Sequence, residues 1–422
     1  MSHRWRNVLL SLPVALLLFA SCSKKFSSDN PLVIASIPSV IISSDNNVLY
    51  GINPQNGQKN WSFGMPNITG TPGWGGNPVI QPSPLLYNEV VYMASACSDT
   101  IYKLNSATGT LIKKITMPYQ VGFTVQATPI ADANLIYIAT TNDTLYAIDT
   151  GTYAIKWKFG SPTDMTSLIA SPTIYNGNVY IASVGGHVFC LNKTTGPDAS
   201  GNPIWDYPGQ GVTAPIPASF TSSPAIDGQQ LYIGSVSDSN LYAIYINPAI
   251  VAGVVPTTAV LHNTFKTGGK ITSSPTTVGG FIYFGSWDFS VYCIDSNTIG
   301  SEGYVWRYQT TSSVGSSPVI QNNVLYIGSY DYNLYALNLV DGRLKWGAPF
   351  KTKGLIKSSP VPYNGEIYVG SYDNYMYAVD SATGTLRWQY YVGGNIECSP
   401  VIDNLNPAQN TLYNSGVSGY IQ

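Results

Sequence analysis

One sentence is spelled eight times along this chain, and it constrains the fold more than any other feature. Each copy has a short strand opened by Ser-Pro or Thr-Pro, an apolar strand reading like LYIGS, a second reading like LYALD, and a Gly turn. Six of the eight copies end in Trp, and the clearest run Ser317–Trp346 and Ser359–Trp388. The repeat prolines are Pro84, Pro129, Pro172, Pro224, Pro275, Pro318, Pro360 and Pro400, between 40 and 52 residues apart. A period of that size built from four short strands predicts an all-β fold, an eight-bladed β-propeller of four-stranded antiparallel blades. Eight such blades use nearly the whole of the 422 residues, overriding the two or three domains that length alone would suggest.

Strands B and C alternate apolar and small residues around a Tyr, as strands sandwiched between neighbouring sheets should. Strand D carries the large aromatic, giving docking positions at Trp61, Trp157, Trp205, Trp306, Trp346 and Trp388, with Ile112 and Phe265 in the two remaining copies. A large aromatic at a fixed point of every outer strand reads as packing between blades. Val40–Trp61 aligns without a gap on Leu325–Trp346, so the N-terminal part supplies strands B, C and D of one blade. The segment 399–402 (Ser-Pro-Val-Ile) supplies the missing strand A, which removes the free edges of an open ring. Thr411–Gln422 resembles another strand B and the start of a C, so the two ends compete for the same slots. The expected particle is a monomeric closed ring over residues 39–422.

Composition narrows the function. Only 10% of residues are charged and the net charge is −2, so the concentrated basic footprint of a nucleic-acid partner is missing. At the N-terminus, Arg4 and Arg6 precede the apolar run Val8–Ala20, an export signal too short to span a bilayer comfortably. The run ends Phe19-Ala20-Ser21-Cys22, which resembles a bacterial lipobox with Cys22 as the lipidated residue. Residues 1–21 are then a signal peptide and 22–38 a Ser- and Pro-containing tether. No Asp follows Cys22, so the expected location is the cell envelope, on the outer membrane facing the periplasm. Cys190 and Cys293 share a repeat position with Ala336 and Ala378 and read as small buried fillers. Cys97 and Cys398 could meet across the ring closure, free or paired. The histidines His3, His187 and His262 are scattered, and no spacing suggests a metal site.

The run from Ala378 through Asp380 and Gly384 to Trp388 resembles the tryptophan-docking motif A-x-D-x-x-x-G-x-x-x-W of pyrroloquinoline-quinone (PQQ) type propeller repeats. Ala336–Trp346 matches with Asn338 in place of Asp, and Lys103–Lys113 keeps only Asn105 and Gly109. The resemblance extends over residues 40–422. It implies the propeller fold, but the repeat is shared by quinone-dependent dehydrogenases and by non-catalytic lipoproteins such as the propeller subunit of the outer-membrane barrel-assembly machinery. The dehydrogenases are similar to one another in a vicinal Cys-Cys disulfide, an Asp base and a Glu/Asn/Asp calcium site. This chain has no Cys-Cys pair, and acids such as Asp149, Asp295 and Asp380 read as caps of the C-to-D turns. Neither PQQ nor calcium is expected, and the expected role is a protein-binding scaffold. The alternative is a quinone-dependent or sugar-binding propeller that uses its central funnel.

Strand alternation puts the D-to-A and B-to-C loops on one face. The B-to-C tips repeat Gly-Ser-aromatic-Asp with Trp287, Tyr330 and Tyr372, and Trp74 lies in the long Gly/Pro-rich D-to-A loop 62–82. These four form the candidate partner face. The position three before each proline should line the central channel, giving Gln81, Gln126, Thr272, Lys357 and Glu397 as candidates, with Lys357 and Glu397 able to pair. The apolar C-to-D insertion Tyr245–Leu261 is a hairpin on the ring or a patch on the opposite face.

Overall fold

The computed structural model describes residues 38–65, 82–94, 100–117, 124–161, 166–209, 218–246, 259–300 and 303–404. Among them are 32 strands in eight four-stranded sheets, with no helix. Seven sheets are contiguous in sequence and are numbered blades 1 to 7 from Leu85 onward. Blade 8 joins the two ends: Val401–Asp403 pairs antiparallel with Ser39–Ser43, Ile41 facing Val401, and Val48–Ile52 and Lys59–Gly64 complete the sheet. The N-terminal strands therefore hold the B slot. Thr411–Gln422, Cys22, Cys97, Trp74 and Gln81 lie outside the described residues, as do 247–258 of the blade 4 insertion.

The Ser/Thr-Pro signature explains itself at the centre of the ring. A residue before proline is driven to an extended backbone, and proline carries no N–H that would need a partner there. The N–H of each preceding Ser or Thr donates to the hydroxyl of its counterpart one blade on. The circuit runs Ser83, Thr128, Ser171, Ser223, Ser274, Ser317 and Ser359 to Ser399, and Ser399 N–H returns to Ser83 Oγ at 2.9 Å. Eight inner-strand donors are satisfied without water, and the eighth blade closes the circuit.

At the periphery six of the eight blades are fastened to the next by an outer-strand Trp. Trp346 is 3% exposed, stacks at a tilt on Tyr326, and donates its indole N–H to Ser381 O of blade 7 at 3.1 Å. Gly384 sits under its ring at φ +73°, where a Cβ would come within 2.6 Å of the indole. Trp61, Trp157, Trp306 and Trp388 make the same indole bond to the following blade, and Trp205 packs on Tyr180. The C-to-D turns are capped as expected, with Asp149, Asp295 and Asp380 accepting backbone N–H groups two or three residues on. Cys190 and Cys293 lie opposite Trp205 and Trp306 in strand C, and both are buried. Buried Cys398 donates to Ser43 O and touches Ser43 Oγ at 3.0 Å, across the ring closure. Its burial pushes the thiol up to about 11.

Two docking positions differ from the sequence expectation. In blade 1 the residue opposite strand C at the docking register is Lys113, while Ile112 occupies the preceding bulge and is 50% exposed. The next blade compensates: Tyr153 stands where other turns have Gly, at φ +62°, and its ring takes the place of the indole beneath Lys103 and Lys113. In blade 4 the docking residue is Asn263, opposite Ala243. Its amide donates to Ile299 O at 2.7 Å, and Gly300 leaves room for it. Phe265 lies two residues further on and packs on Phe284 and Tyr292.

Candidate functional site at the channel mouth

The B-to-C tips rise on the face that also carries the D-to-A loops. Each tip is pinned by a backbone N–H to a D-to-A carbonyl of its own blade: Trp287 to Lys270, Tyr330 to Ser313, Tyr372 to Leu355 and Asp45 to Asn395. The tip Ser hydroxyls of Ser286, Ser329 and Ser371 add bonds to the same loops. The tip acids are structural. Asp288, Asp331 and Asp373 each accept the Tyr hydroxyl four residues on at 2.7 Å, and each accepts a D-to-A backbone N–H. What the tips hold out is therefore the residue before the Asp.

That residue differs around the ring. It is Thr141, Val184 and Val236 in blades 2 to 4, then Trp287, Tyr330 and Tyr372 in blades 5 to 7, and Asp45 in blade 8. Three of the described tips are small, three aromatic and one acidic. The tip aromatics and the channel-lining residues, separate groups in the sequence, meet there. Trp287 donates its indole N–H to Thr272 Oγ1 at 3.0 Å, lies under the Lys270 ammonium at 3.5 Å, and meets Tyr330 edge-on at 5.6 Å. The Tyr330 hydroxyl reaches over Gly315. Tyr372 hydrogen-bonds Glu397 with its hydroxyl, and Lys357 pairs with the other Glu397 oxygen at 2.8 Å. Gln126 stands exposed across the channel, on the side of the small tips of blades 2 to 4.

Burial, then the Glu397 carboxylate, pushes the Tyr372 hydroxyl far above the ordinary phenol range, and the same causes raise Tyr330. Burial also raises the Asp45 carboxyl, outweighing the bonds from Asn395. The arc from Lys270 to Asp45 thus offers half-buried aromatic faces edged by a cation, an ion pair and a carboxylate. Such surfaces anchor a partner's apolar side chains and satisfy its polar ones at the rim. Calcium takes roughly six to eight oxygen ligands, whereas Glu397 is already shared between Lys357 and Tyr372, and no three His, Cys, Asp or Glu side chains converge among the described residues.

With the ring and its mouth defined, comparison with known proteins places the chain. A family model described as outer membrane protein assembly factor BamB matches residues 44–302 and 288–416. The chain belongs to that family. Among solved structures, BamB from Moraxella catarrhalis is similar with a TM-score of 0.57 at 16% identity, covering 79% of this chain and 88% of that one. The quinohemoprotein alcohol dehydrogenase ADHIIG from Pseudomonas putida HK5 matches with a TM-score of 0.57 at 14% identity, over 76% of this chain and 68% of that one. The computationally designed Ika8 protein gives 0.60 at 13% identity, over 76% and 90%. At such identities the solved structures establish the fold alone. A curated relative, the serine/threonine-protein kinase AfsK of Streptomyces griseus, is 26% identical over 199 residues, 42% of this chain and 24% of that protein. This BamB-family chain thus spans about a quarter of the curated relative it matches.

Proposed function

We propose that this BamB-family propeller is a non-catalytic docking scaffold of the bacterial cell envelope, lipid-anchored through Cys22 on the periplasmic side of the outer membrane. The observation that carries the reading is the mouth of blades 5 to 8. There Trp287, Tyr330 and Tyr372 are presented half-buried by pinned tips, with the Trp287 indole N–H and the Tyr372 hydroxyl engaged. Loops on a rigid ring are where binding residues are best placed, and half-buried aromatics beside sparse charges are the composition of interface hot spots. The family description, an outer membrane assembly factor, supports the same class of role.

The rival class is a quinone-dependent dehydrogenase, favoured by the similarity to the quinohemoprotein. Reconstitution with PQQ and calcium separates the two. The scaffold reading expects no alcohol- or aldose-dependent dye reduction, and robust turnover would overturn it. The anchor has its own test. Cys22→Ser should abolish lipid attachment and shift the protein to the soluble fraction, whereas a variant that stays on membranes after a high-salt wash would refute lipidation at Cys22.

A further inference from the structure

The outer rim of blades 1 and 2 departs from the rest of the ring. Its two outer strands, Leu111–Thr116 and Ile155–Phe159, carry four lysines and no carboxylate. Blade 1 has Lys113 where most blades bury a Trp. Lys156 is paired with Asp149 at 3.4 Å, but no carboxylate among the described residues lies within ion-pair distance of Lys113, Lys114 or Lys158. Lys113 and Lys114 rest on the rings of Tyr153 and Tyr102, 5.6 and 5.8 Å from their centroids. On the same two strands, Leu111, Ile112 and Ile155 are 42%, 50% and 37% exposed. In a chain of net charge −2, this is a local concentration of cations interleaved with branched apolar side chains.

The same rim adjoins the place where the chain enters the ring. Asn60 Nδ2 donates to Pro38 O at 3.2 Å, so the first described residue lies against the outer strand Lys59–Gly64 of blade 8. Trp61 of that strand docks on blade 1, and Lys59 is exposed on it. Unpaired lysines with aliphatic side chains among them are what an interfacial surface presents to anionic headgroups: the charges attract, and the side chains enter the headgroup boundary. We propose that the outer rim of blades 1 and 2 docks on an anionic phospholipid bilayer. Anchorage at Cys22, read above, would add a second attachment to the same membrane. The lipid preference itself does not depend on that anchor.

Flotation of the full chain carrying Cys22→Ser, with no lipid attached, tests the rim. The vesicles are phosphatidylethanolamine with phosphatidylglycerol, or phosphatidylcholine alone. The apolar run Val8–Ala20 is common to every variant, so differences among them report the lysines. Partition onto phosphatidylglycerol vesicles should exceed that onto phosphatidylcholine by about tenfold or more and collapse in high salt. Lys113→Gln/Lys114→Gln/Lys158→Gln should lower it by about tenfold or more, each lysine near an anionic surface being worth close to one factor of five. Lys345→Gln/Lys351→Gln/Lys353→Gln, on exposed lysines of blade 6 and the following loop, should leave it unchanged. Equal partition onto both vesicle types, or an undiminished triple variant that melts with the parent, would overturn the proposal. Either result would leave the mouth and its partner untouched.

Discussion

Trp346→Ala should destabilise the ring by about 3–5 kcal/mol, the usual cost of truncating a buried Trp. Three losses coincide at this site. The indole leaves a cavity between blades 6 and 7, Ser381 O keeps only Tyr326 of its two donors, and Gly384 is left at positive φ beneath an empty space. Because the inner Ser/Thr circuit and every other docking contact run through the same closed ring, the loss should appear as earlier cooperative melting of the whole propeller. Tyr391→Ala, which truncates a 57%-exposed ring on the outer strand of blade 7, is the matched control and should cost little. Equal losses in thermal unfolding for the two variants would mean that blade-to-blade docking is not what holds the ring.

The fold was legible because the repeat proline, the paired Tyr strands and the docking Trp all sit where the chain's direction fixes their surroundings. Ring closure was legible for the same reason: Val40–Trp61 lacks a strand A and 399–402 lacks a strand D, and they pair as Ile41 with Val401. The two misplaced docking residues have a definite cause. In blades 1 and 4 the docking register carries Lys113 and Asn263 where the others carry Trp, so the nearby bulky apolar residues Ile112 and Phe265 drew the reading. The motif spacing from Asn105 and Gly109 already pointed to Lys113. In blade 4 the long insertion removed that ruler, and Phe265 drew attention because it is aromatic. No polar rule would have selected Asn263.

The mouth was legible only in parts. Its aromatics and its channel residues could be read from the repeat, and the Lys357–Glu397 pair lies where the spacing put it. That Trp287 bonds Thr272 within one blade while Tyr372 bonds Glu397 of the next depends on side-chain reach across the ring, which repeat spacing does not encode. Asp45 was missed. Its signal was present, since the gapless alignment of Val40–Trp61 on Leu325–Trp346 sets Asp45 opposite Tyr330.

The scaffold reading stands or falls on Tyr330→Ala combined with Tyr372→Ala. Removing both rings strips the middle of the aromatic arc yet should leave the fold intact. The tips are held by backbone bonds and by Asp331 and Asp373, and Glu397 keeps Lys357 as a partner. The melting temperature should therefore stay within a few degrees. The envelope protein that cross-links to a photoreactive residue at position 287 supplies the ligand. Its affinity for the double variant should fall by about tenfold or more, the loss expected from one or two hot-spot side chains at roughly 1.4 kcal/mol per decade. Melting and binding are measured on one preparation. An unchanged melting temperature with weakened binding is the predicted result; early melting with undiminished binding per folded molecule would show that these aromatics seal the blade tips and are not a docking surface.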